Sequence, residues 1–139
     1  MTLIPDYGDS NTVPKQFVVK DSGERRAFNT GSVRDSREGK GRYDLIPSLI
    51  ERELAQHYEN GAVKYGDHNW KKGQPVMSYV DSAKRHINKF VRGEDIENHA
   101  IAAMWNMGGA RWTLAQIALG RLPAELDDRP LGEDPDDAG

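Results

Sequence analysis

The sequence predicts an all-α helical bundle, and three observations predict it. Apolar residues recur every three or four positions through three long stretches beyond residue 47. Prolines and glycines bracket those stretches, at Pro47, Gly66, Gly73, Pro75 and Gly93. Residues before them show little periodicity, with QFVVK (Gln16 to Lys20) open to reading as a short strand or as an extended arm.

Pro47 opens the first helix at a favoured early position, and the helix runs from Ser48 to about Tyr65. Its apolar stripe is Leu49, Ile50, Leu54, Tyr58, Ala62 and Tyr65. Gly66-Asp67 ends it, and DHNWKKGQP forms a polar loop. A second helix is expected from about Val76 to Val91, with Val80, Ala83, Ile87, Phe90 and Val91 inward. Gly93 breaks it. The third helix is expected to start near Asp95 and to continue to about Leu119, since no proline interrupts it. Ile96, Ala103, Met107, Ala110, Leu114 and Ile117 carry its apolar face. Gly108-Gly109 inside it costs about 1 kcal/mol per glycine against alanine, which points to close helix–helix packing against a symmetry mate.

Composition narrows the function classes. A length of 139 residues allows one domain with a real core. A hydrophobic content of 37% is modest, so part of the chain is expected to be unpacked or to pack against another subunit. Three helices make a thin bundle, and a dimer or tetramer would cover it. The absence of cysteine removes disulfides, thiolate nucleophiles and thiolate metal sites together. No apolar run approaches a membrane span, and MTLIPDYGDS lacks a basic-then-apolar signal, so a cytoplasmic protein is expected.

Net charge is −3, unevenly spread. Residues 123–139 hold seven acids against Arg129 and read as a disordered acidic tail. The body, 1–122, carries 18 basic against 15 acidic residues, too few for a dedicated nucleic-acid binder. The expected organisation is an arm over 1–27, a helical domain over 28–122 and the tail over 123–139.

Three clusters carry the chemistry. FNTGSVRDSREGKGRYD (Phe28 to Asp44) sets Arg34, Arg37, Lys40 and Arg42 among Gly31, Gly39 and Gly41, and is expected to be a ligand-ordered loop. Glycines let a backbone approach a ligand closely, and cations beside them suit a polyphosphate. GAVKYGDHNW (Gly61 to Trp70) places Lys64, Asn69 and Trp70 around a helix end. Trp70 reads as a base-stacking residue or as a core aromatic, and Asp44 as a purine-edge acceptor or a helix cap.

GEDIENH (Gly93 to His99) adds three carboxylates and an imidazole. The helix dipole alone favours acids there, which accounts for Glu94 or Glu97 without any function. Asp95 and His99 stand four apart, with Asn106 two turns on, as a polar stripe opposite the core. Hard divalent ions take oxygen ligands and accompany phosphate chemistry. A helix pair joined at 93–95 brings His99 toward His86 and Lys89. Glu59 on the first helix is a further member, whereas Glu51 and Glu53 read as solvated. A small binding module for nucleic acid or protein is the competing class, and a metal requirement separates the two.

TGSVRDSREGKGRYDLIP, YENGAVKYGDHNW, RH, GED and HAIAAMWN, in this order, resemble the phage-encoded dATP/dGTP diphosphohydrolases. That family sits with the MazG-like all-α nucleoside triphosphate pyrophosphohydrolases and includes the MazZ enzymes of phages with 2-aminoadenine DNA. The similarity covers about Phe28 to Trp112. It implies a helical homo-oligomer that cleaves a purine dNTP, dGTP or dATP, to the monophosphate and pyrophosphate with Mg²⁺ or Mn²⁺, in the host cell cytoplasm. No membrane and no nucleic acid enter that chemistry.

The MazG pattern of ExxE followed by ExxD is not kept here. Asp81 is the sole acid of the second helix, and Glu94-Asp95-Ile96-Glu97 is the nearest pattern after it. Glu59, Glu94, Asp95 and His99 are the expected metal ligands. By position, Lys40, Arg42, Lys64, Asn69 and Arg85 are implied to contact phosphate, with Arg34, Asp44 and Trp70 completing the substrate set. Glu59, Asp95 or His86 would orient the attacking water. A nucleotide- or nucleic-acid-binding accessory protein is the alternative outside enzymes.

Overall fold

The structure, a computed structural model, describes residues 21–132. QFVVK lies outside the described residues. The chain divides into two compact units, one ending at Arg42 and the other beginning at Tyr43.

In the first unit β1 (Arg25–Ala27) and β2 (Val33–Asp35) pair antiparallel, Arg25 opposite Asp35 and Ala27 opposite Val33. The ligand-ordered loop expected from Phe28 therefore begins with the turn and second strand of a hairpin. Gly31 makes it possible: its φ of 86° turns the chain where a side chain would be strained. Phe28 N–H donates to Ser32 O at 2.9 Å and closes the turn. Beyond β2, the Asp35 carboxylate accepts from Ser22 N–H at 3.3 Å and from Lys40 Nζ at 2.9 Å. Those partners, Ser22 first, hold Asp35 below the usual carboxylate range.

The second unit is helical: α1 (Ser48–Tyr65), α2 (Val76–Val91) and α3 (His99–Ala118), with short 3₁₀ turns at Tyr43–Leu45, Asn69–Lys72 and Ala124–Leu126. The first two helices start and stop where proline and glycine predict. The third does not. It begins at His99, and Asn98 caps it by accepting from Ile101 N–H at 3.4 Å. Residues 94–98 are an irregular connection, because Gly93 (φ 77°) ends α2 and the following acids find a better N-cap in Asn98 than in one another. Asp95 thus precedes α3 and shares no helical face with His99 and Asn106.

Helices α2 and α3 pack most closely, and α1 lies against α3 more loosely. The core is Val76, Tyr79 and Ala110, flanked by Val80, Trp105 and Leu114. Ala83 is buried as expected, but Ile87, Phe90 and Val91 are 51%, 61% and 76% exposed. The last turns of α2 run past the residues of α3 that would cover them. Ile96, expected inward, is exposed because it sits in the connection. Met107 is also exposed, while His99 and Asn106 are buried, which reverses the polar stripe predicted opposite the core. Helix α3 is largely apolar, and four of its polar residues, His99, Asn106, Thr113 and Gln116, are buried while Arg111 stays exposed.

The chain after α3 folds back, against the expectation of disorder from residue 123. Asp128 Oδ1 accepts Met77 N–H at 2.8 Å, a long-range cap for α2. Leu122 and Leu126 close over Gly73, where an added Cβ would come within 2.9 Å of Leu126 Cδ1. Residues 133–139 lie outside the described residues.

The two adjacent glycines of α3 do different work. A Cβ on Gly109 would meet Tyr79 Cε1 at 2.4 Å, whereas one on Gly108 would meet nothing within 4 Å. The close approach at Gly109 is therefore to α2 of the same chain. Thermal melts should separate the pair: Gly109→Ala is expected to destabilise by about 2 kcal/mol through overpacking. Gly108→Ala should instead stabilise by about 0.5–1 kcal/mol through helix propensity. Shifts of the same sign would contradict this packing.

Candidate active site

The connection between α2 and α3 brings two imidazoles together. His86 Nδ1 and His99 Nδ1 stand 2.9 Å apart, with the rings tilted at 37°. His99 is the first residue of α3 and is only 3% exposed, so the helix start fixes its ring against α2. Glu97 Oε2 lies 4.0 Å from His99 Nδ1. The described residues offer one group of this kind, His86, Glu97 and His99, with ligand atoms all within 4.8 Å of one another.

Two neutral rings satisfy this contact by one N–H donating to the other nitrogen, and two lone pairs satisfy it by converging on a cation. Donors about 2.1 Å from one ion and at right angles would stand about 3.0 Å apart, close to the separation here. The other nitrogen of His99, Nε2, is buried and lacks a hydrogen bond, with Glu94 Oε1 the nearby carboxylate at 3.8 Å. A carboxylate behind a ligating imidazole is the arrangement that orients a metal-bound histidine. Two nitrogens and a carboxylate suit Mn²⁺ or another first-row transition ion, and fit Mg²⁺, which prefers oxygen, poorly.

A groove between the helices holds two adjoining cavities. The polar one, about 660 Å³, is lined by Glu53, Lys64, His86 and Glu97. The other, about 420 Å³, is lined by Tyr58, Trp70, His68, Asn69 and Gln74. Trp70 makes edge contacts with Trp112 at 4.8 Å and Tyr58 at 5.9 Å between ring centroids, so it packs and lines a cavity at once. Trp105 continues the aromatic wall, 5.2 Å from the His57 ring. Glu53 Oε2 accepts from Asn98 Nδ2 at 3.0 Å, which ties α1 to the start of α3.

The expected site residues are distributed as follows. Lys64, Asn69, Trp70 and His86 line these cavities. Glu59, Glu94, Asp95, His99 and Arg85 line neither, although His99 touches His86 of the polar cavity. Arg85 is occupied by Asp81, its partner one turn earlier, and by Ser82 Oγ at 3.0 Å. Asp44 lies in the 3₁₀ turn, Tyr43–Leu45, that opens the second unit. Arg34, Lys40 and Arg42 belong to the first unit, where Lys40 pairs with Asp35 at 2.9 Å. Glu53, His57 and Trp105 were missed. Only the four-residue step from Glu53 to His57 hinted that α1 turns a polar face inward.

Burial, first, and the neighbouring His99 push the His86 imidazole below its ordinary value of 6.5. His57 is lowered likewise, by burial and then by His86. Both rings resist a proton in the folded chain that they would accept in the unfolded one. Their contribution is therefore complete above pH 6.5 and lost as pH falls through the lowered folded values. In metal-free protein the melting temperature should drop as pH falls below 6.5 through the lowered folded values. His57→Gln combined with His86→Gln should flatten that segment, and an unchanged slope would contradict the assignment.

Comparison with known proteins supplies the context for this geometry. No match was found among curated proteins or among solved structures. No helix among the described residues is long and apolar enough to cross a membrane. Residues 30–120 match the family described as dATP/dGTP diphosphohydrolase, N-terminal. All three helices begin within that span, and both cavities lie inside it. With about two thirds of its length matched, the chain belongs to the dATP/dGTP diphosphohydrolase N-terminal family.

Proposed function

We propose that the groove between α1, α2 and α3 hydrolyses a purine deoxynucleoside triphosphate, dGTP or dATP, to its monophosphate and pyrophosphate. The observation that carries this reading is the His86–His99–Glu97 group, of which His86 and Glu97 line a charged cavity that adjoins an aromatic one. In this reading those three residues hold a divalent ion, with Mn²⁺ favoured over Mg²⁺ by the two imidazoles. Such an ion, when bound, neutralises phosphate oxygens and makes water more acidic.

The chain's own groups do the rest. Lys64 offers a cation to the phosphates from the wall of the polar cavity. Glu53 and Glu97 are carboxylates that line it, so in this reading the orienting of the attacking water falls to them. Tyr58 and Trp70 offer ring faces to a purine in the aromatic cavity. Positioning and charge stabilisation carry most of the rate in phosphoryl chemistry, which needs little covalent help. Preference for dGTP over dATP would accord with the MazZ-like role in 2-aminoadenine DNA synthesis. Met104 and Met107, about half exposed on α3, support the homo-oligomer expected for this family.

Incubation with each dNTP in Mn²⁺, Mg²⁺ or EDTA, followed by anion-exchange separation, tests the reading. The expected products are dGMP or dAMP with pyrophosphate, abolished by EDTA. His86→Gln and His99→Gln should each lower kcat/KM by about 100-fold. Release of inorganic triphosphate would place the cleaved bond elsewhere. No turnover would leave a nucleotide-binding accessory protein as the reading.

A further inference from the structure

The two cavities share one wall, formed by His57, Gly61, Tyr65, Ser82, Trp105 and Asn106. Tyr58, His68 and Trp70 line only the aromatic side, and Glu53, Lys64, His86 and Glu97 only the charged side. A nucleotide is itself ordered as base, sugar and phosphates. If the ring takes the aromatic cavity and the phosphates the charged one, the sugar must lie at the shared wall.

Asn106 is the buried polar residue of that wall, 7% exposed. Its Nδ2 donates to Ala102 O at 2.8 Å. A backbone carbonyl can only accept, so this bond fixes the amide with its nitrogen toward Ala102. The group left to a ligand is therefore the Oδ1 acceptor. The sugar of a deoxynucleotide carries one free donor, its 3′-hydroxyl.

Resting on the nucleotide reading above, we infer that Asn106 Oδ1 accepts the 3′-hydroxyl of the bound deoxyribose. Asn106 is then a specificity-determining residue that reads the sugar rather than the base. A buried acceptor left without its donor penalises an analogue that lacks the hydroxyl. The pocket would favour nucleotides that are competent for chain extension over 3′-deoxy ones.

The test measures kcat/KM for dGTP and for 2′,3′-dideoxyguanosine triphosphate with the wild-type protein and with Asn106→Ala. Wild type should turn over the dideoxy substrate roughly tenfold less efficiently. Asn106→Ala should lose a similar factor on dGTP and show no further loss on the dideoxy substrate. The wild-type ratio alone decides the matter should the variant not fold. Equal turnover of the two substrates by wild type would overturn the inference while leaving the hydrolase reading intact. So would a loss in Asn106→Ala that tracks the purine 2-amino group, judged with dITP, instead of the 3′-hydroxyl. A wild-type protein that hydrolyses neither substrate would overturn both readings together.

Discussion

The contact on which the second unit depends is the Tyr79 ring lying on the bare backbone of Gly109. Tyr79 is 1% exposed, and the space it occupies exists only because position 109 has no Cβ. That contact sets how deeply α2 and α3 interlock and along which line. His86 stands two turns beyond Tyr79 on α2, and His99 lies toward the start of α3 from Gly109. The same register that seats the tyrosine brings those two imidazoles to 2.9 Å. Packing density near the middle of the pair thus becomes geometry at its end.

Helix α1 is held differently. It has no fully buried residue, and its ties to α3 include the Glu53–Asn98 hydrogen bond and the aromatic contacts of His57 and Tyr58 with Trp105. A helix held through polar and aromatic edges leaves room beneath it. The groove is that room. Its two ends differ in chemistry because α1 presents Glu53 and Lys64 toward the α2–α3 connection, while Tyr58 meets Trp70 beyond the helix end.

The sequence displayed α1 and α2 clearly, since Pro47, Gly66, Pro75 and Gly93 punctuate them. It misplaced the start of α3, because Glu94, Asp95 and Glu97 imitate the acidic first turn of a helix while Asn98 supplies the actual cap. The inward face of α2 was legible through Ala83 and not beyond it, as periodicity cannot tell where a partner helix ends. In the groove, the approach of His86 to His99 followed from the turn between the helices. Glu53, His57 and Trp105 did not stand out, since their roles arise only when α1 meets α3. The tail showed its charge but not the Asp128 cap, which pairs groups 51 residues apart in sequence.

The central claim is that the imidazole pair, with Glu97, forms the ion site of a nucleotide-cleaving groove. The most direct measurement is anomalous X-ray diffraction from crystals grown with Mn²⁺ and a dGTP analogue whose α–β bridge resists hydrolysis. The account predicts a manganese peak between His86 Nδ1 and His99 Nδ1, with phosphate oxygens beside it and the purine against Trp70. Manganese held by Glu59 or Asp95 with the imidazoles left in mutual contact would contradict it.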